Sequence, residues 1–140
     1  FTHENKKSVR QQYLDNQKEG YNSWTFYPID EVKNNFENAG IQIDETIKFV
    51  KGDVGETLKK SENIPSSIAI LRLDTDFYES TLIELEYLYP KLKKNGILLI
   101  DDYGHFLGAK RAVDEYFKKI NQHPYMNITD YSGRSIIKTF

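Results

Sequence analysis

Two apolar runs, "IAILRL" at 68–73 and "GILLI" at 96–100, each stop abruptly at acids. The first gives way to Asp74 and Asp76, the second to Asp101 and Asp102. Continuous apolar runs this short mark strands covered on both faces in a parallel sheet. The segment between them is helical in pattern, with Leu82, Leu85, Leu88, Tyr89 and Leu92 on its buried face. Thr81 and Glu84 offer a capping box, Pro90 should kink or restart the last turn, and Asn95–Gly96 should end the helix. Strand, helix, strand in this order is a right-handed crossover, which puts the two acid-tipped strands side by side.

The flanking segments extend the alternation. A helix is expected over Asp30–Ala39, with Val32, Phe36 and Ala39 on one face and Gly40 placed to stop it. "TIKFVKG" at 46–52 reads as a strand and "GETLKKS" as a short helix or turn. Ala109, Ala112, Val113, Tyr116, Phe117 and Ile120 recur at three- and four-residue steps, the plainest helix in the chain. "YMNITDY" and "SIIKTF" flank a Ser132–Gly133 turn and form a closing antiparallel hairpin. Residues 1–28 are polar and poorly defined, with a short helix near Ser8–Lys18 the one element they suggest. The expected fold is an α/β sandwich, its sheet mostly parallel, formed by a single domain over residues 1–140.

The bulk numbers exclude more than they assign. A net charge of −2 provides no basic field for nucleic acid. No apolar run approaches the roughly 18 residues of a membrane span, and no signal-peptide pattern is visible. The absence of cysteine removes disulfides and thiolate metal sites and fits a cytoplasmic protein.

The acids carry the chemistry. Sheets of this kind bind ligands beyond the carboxyl ends of their strands, where Asp74, Asp76, Asp101 and Asp102 fall. Neighbouring strands run about 4.8 Å apart, and two like charges at about 4 Å repel by roughly 4 kcal/mol at an effective dielectric near 20. Carboxylates so placed need a cation, a proton or open water. Oxygen ligands without cysteine favour Mg²⁺ or Ca²⁺ over zinc. The plainer alternative is that an Asp after a strand caps the following helix, and that Asp102 to His105 is turn chemistry. His105 could serve as a general base or lie on the surface; His3 and His123 read as surface residues. Tyr78 and Tyr103, next to the acids, could line a pocket or simply pack. Gly52 and Gly55 in "VKGDVGETL" could bring backbone close to a cofactor or form an ordinary turn.

The stretch "LDTDFYEST", followed by "YLYPKLKKNGILLIDDYG" and "AVDEYF", closely resembles the macrocin O-methyltransferase family, class I S-adenosylmethionine-dependent enzymes that methylate sugar hydroxyls. The likeness covers roughly residues 29–140, with "IKFVKGDVGETL" and "IKTF" also fitting. It implies a Rossmann-like methyltransferase sandwich, S-adenosylmethionine and Mg²⁺ as cofactors, and a sugar-containing small-molecule substrate: a glycosylated natural product or surface glycan. It implies Asp74, Asp101 and Asp102 as metal ligands, and Asp76 or His105 as the base. Gly52, Asp53, Val54 and Asp74 would contact the methyl donor. "FTHEN" at 1–5 is similar to the segment just past the family's second strand, so the resemblance implies a C-terminal portion lacking the first two strands and their glycine-rich loop.

Three other readings compete. "LDTDFY" alone would suit a metal-dependent nucleotide-sugar glycosyltransferase, although "IDDYG" falls outside that pattern. A receiver-like signalling module would carry its acid pair before the single acid, the reverse of the order here. A non-catalytic remnant need not keep the metal at all. The missing strands would leave one sheet flank open, either to take strands from another copy, making a homo-oligomer, or to stand as a sticky edge. The 140-residue chain alone is therefore expected to bind S-adenosylmethionine poorly. Calorimetric titration should give no tight binding isotherm, and intact cofactor affinity would refute the expectation.

Overall fold

The computed structural model describes residues 9–19, 21–24 and 26–139; the "FTHEN" segment and His3 lie outside them. The chain divides into two compact units, Phe1–Lys51 and Gly52–Phe140.

In the first unit, helix α1 (Val9–Asp15) leads into a two-stranded antiparallel ribbon of β1 (Gln17–Lys18) and β2 (Tyr21–Asn22). Helix α2 (Ile29–Asn38) starts with Asp30 and Glu31 in its first turn, where the helix dipole favours acids. Gly40, at φ 73°, ends it: the Ile41 N–H bonds the Phe36 carbonyl and the Gly40 N–H that of Glu37, both at 2.9 Å. The expected strand at 46–52 is not formed. Among the described residues nothing pairs with it, and a strand exists only through a neighbour's hydrogen bonds. Phe49 instead meets Phe36 edge-on at 5.4 Å between ring centroids.

The second unit carries the sheet. Helix α3 (Val54–Thr57) is followed by a 3-10 turn at Ser61–Asn63, strand β3 (Ile68–Leu73), helix α4 (Tyr78–Leu88), a second 3-10 turn at Tyr89–Lys91, strand β4 (Leu92–Ile100), helix α5 (Leu107–Lys119) and strands β5 (Asn127–Ile128) and β6 (Arg134–Ile137). The order across the sheet is β3-β4-β6-β5. β3 and β4 run parallel, with Leu73 opposite Ile100; β4–β6 and β6–β5 are antiparallel. The fold is α/β as expected, but the sheet is mixed: the hairpin docks directly on β4.

β4 also starts earlier than its apolar run. Pro90, which cannot donate to a helix, ends α4 at the 3-10 turn, and the chain is already in the sheet at Leu92. Asn95 (φ 66°) and Gly96 make a kink inside the strand, not a helix terminus. The ladder to β3 shifts register there, and the Asn95 and Lys138 N–H groups bridge the kink to β6. A Cβ on Gly96 would lie 2.8 Å from the Lys93 carbonyl oxygen and 2.9 Å from that of Ala69, so only glycine fits.

One sheet face is the core. Leu71, Leu73, Leu98, Ile100 and Ile136 pack under Leu85 and Tyr89 on one side and Val113, Tyr116 and Phe117 of α5 on the other. Leu98 is fully buried, whereas Ile70, on the opposite face of edge strand β3, is 63% exposed. The apolar runs thus suggest cover on two faces, and burial in this unit follows the two-residue alternation of a strand with one.

Candidate metal and active site

The register that sets Leu73 opposite Ile100 brings the two acid-bearing turns together. Asp74 follows β3 directly, and the ladder runs one bond further, from the Asp101 N–H to the Leu73 carbonyl at 3.0 Å. One carboxylate oxygen each from Asp74, Asp76 and Asp102 lies within 4.8 Å of the other two.

Asp101 turns to a different partner. Arg72, on the exposed face of β3, forks between the two strand ends, with Nη1 2.8 Å from Asp74 and Nη2 2.6 Å from Asp101. The metal set implied by resemblance is Asp74, Asp101 and Asp102; the closest geometric grouping among the described residues replaces Asp101 with Asp76. The sequence offers no signal for Arg72, because an arginine inside an apolar strand reads only as an outward-facing residue.

Asp76 reaches the cluster through an unusual backbone. It sits at φ 65°, and the Phe77 N–H bonds the Thr75 carbonyl across it at 2.7 Å. That is the i-to-i+2 bond of a γ-turn, strained when the central φ is positive. Aspartate is among the few residues that tolerate the left-handed region. The turn also spoils the expected capping box: α4 begins at Tyr78, and Glu84, 7% exposed, accepts a 2.9 Å bond from the Thr75 hydroxyl instead.

The electrostatics follow from crowding. Burial pushes Asp102 up to about 7, helped by the proximity of Asp76, Asp101 and Asp74. Its Oδ2 is buried with no hydrogen-bond partner among the described residues. Asp74 is raised by burial and then by Asp101, against the lowering pull of Arg72. Glu84 is pushed up to about 7, chiefly by burial, with the Thr75 hydroxyl opposing and Asp74 adding to the rise.

The donor set fits a hard divalent cation. All three donors are carboxylate oxygens within 4.8 Å of one another, and an octahedral Mg²⁺ with bonds of about 2.1 Å would need its ligands about 3 to 4 Å apart. The orphaned Oδ2 of Asp102 is the atom such an ion would satisfy.

The remaining expected residues follow β3 and β4 in the chain or lie at the start of α3. His105 stands beside Phe106 (ring centroids 4.7 Å) and Tyr131, whose hydroxyl is 3.4 Å from Nδ1. The loop before it is held by the hairpin: the Gly104 N–H bonds the Ser132 carbonyl at 2.8 Å, and a Cβ there would lie 2.5 Å from the Tyr131 carbonyl oxygen. Tyr78 and Tyr103 are both tied to α5, by 2.6 Å and 2.7 Å bonds to Glu115 and Asp114. Gly52 lies at φ 142°. Asp53 is occupied as the N-cap of α3, its side chain accepting the Gly55 N–H at 2.8 Å. Val54 opens the same helix.

Comparison with known proteins gives the family. The sequence pattern of the Macrocin-O-methyltransferase (TylF) family matches residues 4–135. The chain belongs to that family. It is 39% identical over 92 residues to a demethyldecarbamoylnovobiocin O-methyltransferase from Streptomyces niveus, covering 66% of this chain and 34% of that protein. It is 37% identical over 89 residues to an 8-demethyl-8-(2,3-dimethoxy-alpha-L-rhamnosyl)-tetracenomycin-C 4'-O-methyltransferase from Streptomyces olivaceus, covering 64% and 33%. The solved structure of the O-methyltransferase NovP superposes with a TM-score of 0.74 at 36% identity, over 79% of this chain and 45% of that one. The chain spans about a third of the length of these curated relatives. Among the described residues no helix is long and apolar enough to cross a membrane.

The raised carboxyl of Asp102 makes a stability prediction. A group held at about 7 when folded, against an ordinary 3.8, stabilises the fold fully below its unfolded pKa. That contribution is lost as pH rises through about 7. Metal-free protein should therefore melt at lower temperature at pH 8 than at pH 5, and Asp102→Asn, which cannot ionise, should melt progressively higher than wild type across that interval. A melting difference that stays flat from pH 5 to 8 would contradict the assignment.

Proposed function

We propose that this chain supplies the metal-binding and acceptor-activating half of a Mg²⁺-dependent enzyme that transfers a methyl group from S-adenosylmethionine to a sugar hydroxyl. The substrate class is a glycosylated natural product or a related surface glycan, and the setting is the cytoplasm. The observation that carries the proposal is the convergence of Asp74, Asp76 and Asp102 at the ends of two paired parallel strands, in a chain of this family. The names of its relatives support the acceptor class, since each acts on a natural product and one name specifies a rhamnosyl group.

Asp74 and Asp102 would hold the cation, with Asp101 able to join if it leaves Arg72. A bound Mg²⁺ supplies positive charge that orients neighbouring sugar hydroxyls and lowers their pKa. S-adenosylmethionine would supply the methyl group, whose bond to sulfur breaks as the acceptor oxygen bonds to the carbon, the electron pair leaving on the sulfur of S-adenosylhomocysteine. Arg72 bridges Asp74 and Asp101, which limits repulsion at the strand ends. Asp76, the acid brought in by the γ-turn, is the favoured general base: its carboxylate is within the cluster and can take the hydroxyl proton as the oxygen attacks. His105 is the alternative base, ringed by Phe106 and Tyr131. The turn at Gly52, Asp53 and Val54 would offer backbone groups to the methyl donor, together with Asp74. Much of the acceleration would come from holding acceptor and donor in line.

The test is methyl transfer from labelled S-adenosylmethionine to a panel of glycosylated acceptors by the protein that carries this chain. Chelation should abolish transfer and Mg²⁺ restore it. Asp76→Asn should reduce kcat by about 10²–10⁴-fold and, because its carboxylate belongs to the cluster, also weaken Mg²⁺ binding, while His105→Ala should cost far less in kcat and leave Mg²⁺ affinity unchanged. Undiminished transfer after exhaustive chelation would overturn the metal role, and failure of every sugar acceptor would overturn the substrate class.

A further inference from the structure

Glu84 is a buried acid in the middle of α4, reaching back to the loop that carries the acidic cluster. Its partner, Thr75, lies between Asp74 and Asp76 and is gripped at both ends. Its hydroxyl donates to Glu84 at 2.9 Å, while its carbonyl accepts from the Phe77 N–H at 2.7 Å and from the Ser80 hydroxyl at 3.1 Å. In a continued strand Asp74 and Asp76 would stand about 7 Å apart along one face. The γ-turn at Asp76 breaks that spacing and folds its carboxylate in beside Asp74 and Asp102. A positive-φ turn at a non-glycine residue persists only where its surroundings hold it, and Thr75 is the residue through which α4 holds this one.

We propose that Glu84 is a positioning residue for the cluster: by fixing the Thr75 hydroxyl it maintains the turn that presents Asp76 to the cation, without touching the cation itself. The inference rests on the metal-binding reading above and adds to it a residue outside the acid-tipped strand ends. Partners that orient metal ligands in this way commonly alter metal affinity by about 10–100-fold when removed. Leucine in place of Glu84 would fill a similar volume without a polar atom, so its effect on the cluster can be separated from loss of the helix. Glutamine retains an oxygen acceptor for Thr75.

The experiment is calorimetric Mg²⁺ titration of the wild-type chain, Glu84→Leu, Glu84→Gln, Thr75→Val and the Glu84→Leu/Thr75→Val double variant. Melting curves and the hydrogen-exchange rate of the Phe77 amide are recorded on the metal-free proteins. Glu84→Leu and Thr75→Val should each weaken Mg²⁺ binding by about tenfold and speed Phe77 exchange, without a fall in melting temperature. The double variant should be no worse than either single one, because both break the same link, and Glu84→Gln should bind close to wild type. Wild-type binding with unchanged affinity in both single variants would overturn the role of Glu84 alone. A wild-type chain that takes up no Mg²⁺ would overturn the metal-binding reading, and this inference with it.

Discussion

The pairing of β3 with β4 in parallel register is the constraint on which the site depends. Two strands running the same way must end at the same edge, and hydrogen bonding fixes their ends about 4.8 Å apart. Leu73 opposite Ile100 therefore forces the acids just beyond them into one small volume. The core underneath prevents any slip of register. Leu71, Leu73, Leu98 and Ile100 all point to the helix-covered face, and moving one strand by one residue would turn its apolar set outward. Charge crowding at the site is thus maintained by hydrophobic burial beneath it.

The molecule manages that crowding in three ways. Arg72 bridges Asp74 and Asp101 and offsets part of their charge. Asp102 keeps its proton to about neutral pH, because burial and its neighbours disfavour a further negative charge. Asp76 is brought in by a strained turn and not by the strand itself, and the strain is borne by Thr75, Ser80 and Glu84. On the proposed reading, the charge of a bound cation would replace the proton and relieve the repulsion together. Membership of a methyltransferase family supports the proposed use, a charged centre next to which a hydroxyl would be deprotonated.

The acids at 74, 76, 101 and 102 are legible in the sequence because apolar runs end at them, and the crossover rule makes the strands neighbours. The helix at Leu107–Lys119 is legible because its period is unbroken. The role of Glu84 is not, because a Thr three residues before a Glu is the same pattern whether it opens a helix or lies within one. Only the γ-turn, invisible to periodicity, moves the helix start to Tyr78. Asn95–Gly96 reads as a helix terminus since a positive φ serves a helix end and a kinked strand equally well. The 46–52 segment has strand character, but a strand is a property of a pair. The division of labour between Asp76 and Asp101 depends on Arg72, a long-range contact that no local pattern carries.

Proton release on metal uptake tests the central claim most directly. Mg²⁺ is titrated into the chain near pH 6.5 in two buffers of different ionisation enthalpy, and the difference in heat counts the protons displaced. The account predicts one Mg²⁺ bound per chain with a proton expelled from the cluster, and no such proton from Asp102→Asn. Binding with no buffer-dependent heat, or no binding at all, would contradict it.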